Sequence, residues 1–148
     1  MILDHDRTHL LAEAEASCRL RGGRLTRGRR LVLDFLLQAA RPLTAYEVMD
    51  RLRLAGAPAT PATAYRSLEF LLEHGLAHRL ETTRAYVACG HPDHPHAGQF
   101  LICRQCGTVV EIEDERVATA AEQLGHRLGF ALDQRMVELT GVCGPCQG

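Results

Sequence analysis

The chain contains no lysine, so all 17 of its basic residues are arginine. It has no apolar run approaching the length of a membrane span, and Met1 to His9 is mixed and charged with no apolar signal region. These absences exclude a spanning helix and give a soluble, cytoplasmic protein as the expectation. Internal repeats and low-complexity tracts are also missing. At 148 residues the chain holds one ordinary domain or two small ones, each too small to rest on apolar burial alone. From Ala16 to Leu33 there is no acidic residue, whereas Arg19, Arg21, Arg24, Arg27, Arg29 and Arg30 all fall there. Such a cluster suits phosphate, and a solvated helix-and-loop face is the plain alternative.

The net charge of -1 conceals an asymmetry, with 13 arginines against 10 acids through Tyr86 and 4 against 8 from Val87 onward. The two halves therefore face different partners.

What the chain does have is two Cys-x-x-Cys pairs, Cys103/Cys106 and Cys143/Cys146, with Gly107 after the first and Gly144 and Pro145 inside the second. Small turn-forming residues let two thiolates converge on one metal, and two such pairs make one tetrahedral four-cysteine zinc site. The alternative is redox dithiols or disulfides. A redox Cys-x-x-Cys normally occurs once, beside a strand-helix unit, and a reducing compartment disfavours disulfides.

Helical signals fill the first half. Leu10, Leu11, Ala14 and Cys18 lie at helical spacing in a segment from Asp6 to Leu20 that stops at Gly22-Gly23. Thr26 caps a second helix through Leu31, Val32, Phe35 and Leu36, ending before Pro42. Thr44 and Glu47 form a capping box for a third through Val48, Met49 and Leu52. Thr60-Pro61 opens a fourth, running to Gly75 with Ala64, Leu68, Leu71 and Leu72 on one side and Thr63, Tyr65 and Arg66 exposed at its start. Strand-like runs follow at Leu76–Leu80 and Ala85–Ala88.

This pattern predicts an α+β protein whose residues 1–88 form a winged helix-turn-helix, the fourth helix standing where a recognition helix meets the major groove. A small helical bundle with an ordinary hairpin is the alternative. Residues 89–98, rich in His and Pro, read as a hinge. Residues 99–148 read as a small α+β dimerisation domain: strands at Gln99–Ile102 and Thr108–Ile112, a helix over Glu113–Leu128 and a last strand over Phe130–Leu139. An open strand edge there offers itself for pairing with a second copy.

A second constellation gathers at the hinge: His91, His94 and His96, with Cys89 before them, His78 in the wing and Glu111 beyond the first cysteine pair. Imidazole and thiolate suit zinc, with Glu as a harder ligand. Ligands drawn from wing, hinge and second domain would couple metal binding to the angle between the domains. Taken singly, Cys89 reads as a buried small hydrophobe and the others as surface polar residues.

Several segments resemble the ferric uptake regulator (Fur) family: Arg24-Leu25-Thr26-Arg27-Gly28-Arg29-Arg30, Ala62-Thr63-Ala64-Tyr65-Arg66-Ser67-Leu68, the His-rich hinge, and Phe100-Leu101-Ile102-Cys103-Arg104-Gln105-Cys106-Gly107. The wide spacing of His96 from Cys103 is similar to its zinc-sensing branch, the zinc uptake regulators. The resemblance implies a homodimeric transcriptional repressor that binds double-stranded operator DNA when zinc-loaded and silences zinc-uptake genes, with two Zn2+ per monomer. It further implies structural zinc on Cys103, Cys106, Cys143 and Cys146 and regulatory zinc on His78, Cys89, His96 and Glu111. Tyr46, Thr63, Tyr65, Arg66, Arg24 and Arg29 would approach DNA, and Asp50 with Arg53 would contact a neighbouring dimer. The chain departs from the family in carrying Arg27-Gly28 where Pro-Gln is common. His126 is out of register with a third metal site, so none is assigned; His91 and His94 remain candidate auxiliary ligands. The rival readings are a sensor of iron, manganese, nickel or peroxide, a zinc-stapled interaction module, and a zinc or thiol enzyme. A zinc enzyme needs an open coordination position, which a filled four-ligand site lacks.

Overall fold

The computed structural model describes residues 4–90, 98–133 and 136–148. The chain divides into two compact units, Met1–Asp93 and His94–Gly148.

The first unit opens with four helices: α1 (Asp4–Leu20), α2 (Arg27–Gln38), α3 (Ala45–Leu54) and α4 (Pro61–Glu73). Each of the last three starts on a threonine whose hydroxyl accepts a backbone N–H: Thr26 from Arg29, Thr44 from Glu47, Thr60 from Thr63. This satisfies one of the donors every helix start leaves orphaned. At α3 the capping box is complete, with the Thr44 N–H donating to Glu47 Oε2 at 2.8 Å. Apolar residues at three- and four-residue intervals, Val32/Leu36, Val48/Leu52 and Ala64/Leu68/Leu71, then turn into one core with Leu11, Ala14 and Cys18 of α1. Gly56, at φ +70, sits in the turn between α3 and α4, where the left-handed backbone favours glycine. A hairpin of β1 (Ala77–Leu80) and β2 (Ala85–Ala88) follows, with Ala77 opposite Ala88 and Leu80 opposite Ala85. Leu43 bridges Tyr86 through both backbone bonds, fastening the wing to the segment before α3. The α3-turn-α4 pair with its hairpin is the winged helix-turn-helix expected from the sequence.

Glu47 also accepts from Arg41. Those bonds, first the Arg41 guanidinium and then the Thr44 N–H, hold its carboxyl down at about 2. A depressed carboxyl stabilises the fold while ionised, so this contribution is complete above the ordinary glutamate range and is lost as pH falls from about 4.5 towards about 2. Glu47→Gln is expected to lower the melting temperature at neutral pH, through an impaired cap worth about 1 kcal/mol. It is also expected to flatten the acid limb of melting temperature against pH. Superimposable wild-type and variant acid limbs would contradict this.

The second unit holds β3 (Gln99–Cys103), β4 (Val109–Ile112), α5 (Glu115–Arg127) and β5 (Val137–Gly141), then a 3-10 turn at Gly144–Gln147. The sheet order is β4-β3-β5, with β3 antiparallel to β4 and parallel to β5. Gln99 is buried, and its carboxamide pairs with both backbone groups of Asp114, donating to the carbonyl at 3.0 Å and accepting the N–H at 3.1 Å. Asp114 in turn caps α5 through the Arg116 N–H. The expected final strand over Phe130–Leu139 is shorter in the structure. Gly129, at φ +76, turns the chain, the Phe130 N–H returns to the Gly125 carbonyl at 2.8 Å, and among the described residues the strand is Val137–Gly141. A Cβ on Gly125 would lie 2.9 Å from Leu132, so glycine there admits the returning segment.

Of α5, only Gly125 is buried. Leu124, Leu128, Phe130 and Leu132 stand exposed on or after it, and Val110, Leu101 and Leu139 form a directly opposed, exposed row across the sheet.

Candidate metal centres and nucleic-acid interface

The four paired cysteines converge. β3 delivers Cys103 at its last residue, and β5, running parallel beside it, delivers the chain to Cys143 two residues past its end. The Arg104 N–H donates to the Gly141 carbonyl at 2.9 Å and locks the two strand ends together. Each Cys-x-x-Cys then closes on itself: the Gly107 N–H bonds the Cys103 carbonyl and the Cys146 N–H bonds the Cys143 carbonyl, both at 3.0 Å. Gly107 takes φ +76 to complete the first turn.

The four Sγ atoms lie within 4.8 Å of one another, and Cys106 and Cys143 are 3.7 Å apart. Sulfurs about 2.3 Å from a central zinc in a tetrahedron stand about 3.8 Å from each other, so the spacing fits that ion. All six cysteines are free thiols.

The electrostatics of the cluster point the same way. Backbone donors, first the Cys143 N–H at 3.3 Å, hold the Cys103 thiol down at about 6. The neighbouring Cys143 thiol pushes Cys146 up to about 12. Four thiolates this close repel one another, and a dication is the partner that lets all of them ionise. Cys106 lies 3.1 Å from Thr108 Oγ1, a hydroxyl placed to donate to a thiolate; no motif in the sequence singles it out. Zinc held by four thiolate donors would have no open position, as in a structural site.

Of the residues expected to form the second centre, His78 on β1 and Cys89 just after β2 are both buried, with ligand atoms within 4.8 Å of each other. The wing brings them together because the Cys89 N–H pairs with the Leu76 carbonyl at 2.9 Å, extending the hairpin one residue past β2. Glu111 is half-buried on β4 of the other unit, opposite Phe100. His91, His94 and His96 lie outside the described residues.

On the recognition side, Tyr46 is 72 % exposed and Tyr65 46 %, and they flank a shallow cleft with Ala45, Met49, Pro61 and Ala64 between α3 and α4. Arg66 and Arg24 are exposed, while Thr63 is half-buried with its hydroxyl tied to that of Thr60 at 2.8 Å. Arg29 is engaged within the unit: its guanidinium carbon stands 3.8 Å above the Phe70 ring, and Nη1 donates to the Arg24 carbonyl at 2.8 Å. Asp50 and Arg53 form an exposed ion pair at 2.8 Å on α3. Among the described residues no helix is long and apolar enough to cross a membrane.

Comparison with known proteins agrees with this arrangement. The chain is 41% identical over 138 residues to the zinc uptake regulation protein of Escherichia coli K12, covering 93% of this chain and 81% of that protein. It is 30% identical over 129 residues to the zinc uptake regulation protein of Mycobacterium tuberculosis CDC 1551, covering 85% and 96%. Its fold is similar to that of a zinc uptake regulator solved in complex with zinc and DNA, with a TM-score of 0.90 and 39% identity over 95% of each chain. With residues 20–140 matching the ferric uptake regulator family as a whole, the chain belongs to that family.

Proposed function

We propose that this protein is a zinc-responsive transcriptional repressor that binds operator DNA as a homodimer when zinc-loaded and silences zinc-uptake genes. One observation carries the reading: a winged helix-turn-helix and a four-thiol zinc cluster lie on one chain whose fold follows a zinc- and DNA-bound regulator over 95% of its length. Each monomer would hold two zinc ions, one on Cys103, Cys106, Cys143 and Cys146, and one on His78, Cys89, His96 and Glu111. The first supplies folding energy. The second supplies the signal: zinc held by residues of both units favours the DNA-binding state, and operator affinity rises by linkage. Tyr65, Arg66 and Tyr46 would read bases or fix register, with Arg24 on phosphate. The protein is a regulator and not an enzyme, acting in the cytoplasm where its DNA lies.

The homodimer rests on the second unit. An amphipathic helix with one buried residue, together with an exposed Val110–Leu101–Leu139 row on the sheet, leaves apolar surface that a second copy would cover. Asp50 and Arg53, an exposed ion pair on α3, would exchange it for one with an adjacent dimer on a long operator.

Choice of metal tests the reading against other family sensors. A thiolate at Cys89 favours zinc over the harder iron(II) and manganese(II). Titrating chelator-treated protein with each metal, and following labelled operator duplex by fluorescence anisotropy, is expected to give tight binding with zinc at the lowest free concentration. Tighter operator binding with iron or manganese at equal free metal would transfer the assignment to another sensor class.

A further inference from the structure

We propose that Phe70 and His74 are positioning residues for DNA binding, clamping the arginine-rich segment between α1 and α2 onto the recognition helix. The proposal rests on the repressor reading above. Arg66 and Phe70 on α4 and His74 at its C-cap follow one another at four-residue intervals, so they fall along one side of the helix. Three ties join the last two to residues 21–29, and a stack joins the two rings to each other. The Arg29 guanidinium stacks on Phe70 at 3.8 Å while its Nη1 donates to the Arg24 carbonyl. Phe70 and His74 stack on each other with centroids 3.9 Å apart. Arg21 Nη1 donates to the His74 carbonyl at 3.1 Å, setting a cation at the negative end of α4. Gly23 packs so closely on the imidazole that a Cβ there would fall 2.5 Å from His74 Nε2. The imidazole is itself fixed, since Nδ1 lies 3.0 Å from the Phe70 carbonyl and must carry the proton to donate there.

The consequence is geometric. Arg24 is exposed beside the clamp, and its backbone carbonyl is one of the clamped groups. Phosphate contacts fix register and base contacts read sequence. A clamp that holds the phosphate-binding loop at one offset from Arg66 lets a single docking satisfy both, with the ordering cost met before DNA arrives.

The test uses full-length zinc-loaded protein and a duplex selected from random sequence by the wild type. Phe70→Leu keeps an apolar side chain in the core but removes the ring faces; Arg29→Lys keeps the charge but loses the planar stack. Both are expected to keep the wild-type circular dichroism spectrum and zinc content. Both are also expected to weaken binding about tenfold and to shrink the slope of log affinity against log salt by about 0.9 for each phosphate no longer neutralised. Because a smaller folded fraction lowers apparent affinity without changing that slope, the slope separates positioning from mere stability. Should Phe70→Leu fail to fold, Arg29→Lys alone decides. Variants with the wild-type salt slope would overturn the clamp, whereas a wild type that binds no duplex in the presence of zinc would overturn the repressor reading and the clamp with it.

Discussion

Cys103→Ser is expected to strip the four-thiol site of its zinc and unfold the margin of the second unit. Cys103 is the ligand with most at stake: it ends β3, receives the Cys143 N–H on its sulfur, and carries the backbone carbonyl that closes the first Cys-x-x-Cys turn. Serine keeps the backbone bonds but replaces a soft, ionisable sulfur with a hydroxyl that does not deprotonate at neutral pH, and only three thiols remain. Structural zinc in small domains contributes about 10 kcal/mol or more to folding. Losing even ~3 kcal/mol of that would lower the melting temperature of so small a unit by about 12 °C or more. The dimer should weaken with it, because the apolar row proposed to meet the second copy lies on the sheet these loops close. Calorimetry, sedimentation and metal analysis of the variant would show the loss together. A variant with wild-type melting temperature, dimer state and zinc content would remove the structural site from the account.

The second large effect separates signal from scaffold. Cys89→Ser is expected to leave the fold, the dimer and one zinc per monomer intact and to abolish the rise in operator affinity on adding zinc. The substitution is nearly isosteric, and the Cys89 backbone bond to Leu76 does not involve the side chain, so the wing stays closed. Couplings between two ligands of one protein are typically 5- to 150-fold, and the expected result is a ratio near one between zinc-loaded and chelated affinities. Full zinc-dependent binding by the variant would take Cys89 out of the sensor site. Cys18 provides a control, since it is buried in α1 among the core residues of the first unit and its replacement should leave zinc content unchanged.

Much of this was legible in the sequence because the relevant signals are local. Thr44 and Glu47 three residues apart, and Thr60 before Pro61, fix helix starts whatever the rest of the chain does, and both caps form as read. The Cys-x-x-Cys pairs are equally local, and their chemistry requires that distant pairs meet. What stayed hidden depends on long-range contacts. Nothing in Phe130–Leu139 announces that Gly125 admits Leu132 and delays the strand to Val137. Nor does the apolar pattern show that β5 runs parallel to β3, the pairing that brings Cys143 beside Cys103. Arg29 reads as one more basic residue in a cluster, and only the packing of α2 on α4 reveals Phe70 beneath it. Gln99 looks like an ordinary polar residue opening a strand, yet it is buried as the anchor of the Asp114 backbone.

The most direct test of the central claim is zinc stoichiometry on freshly purified protein before and after mild chelation, with operator binding followed on the same samples. The account predicts two zinc ions per monomer falling to one, DNA binding lost with the second ion, and binding restored when zinc is added back. A single zinc that never changes, with DNA binding indifferent to chelation, would contradict it.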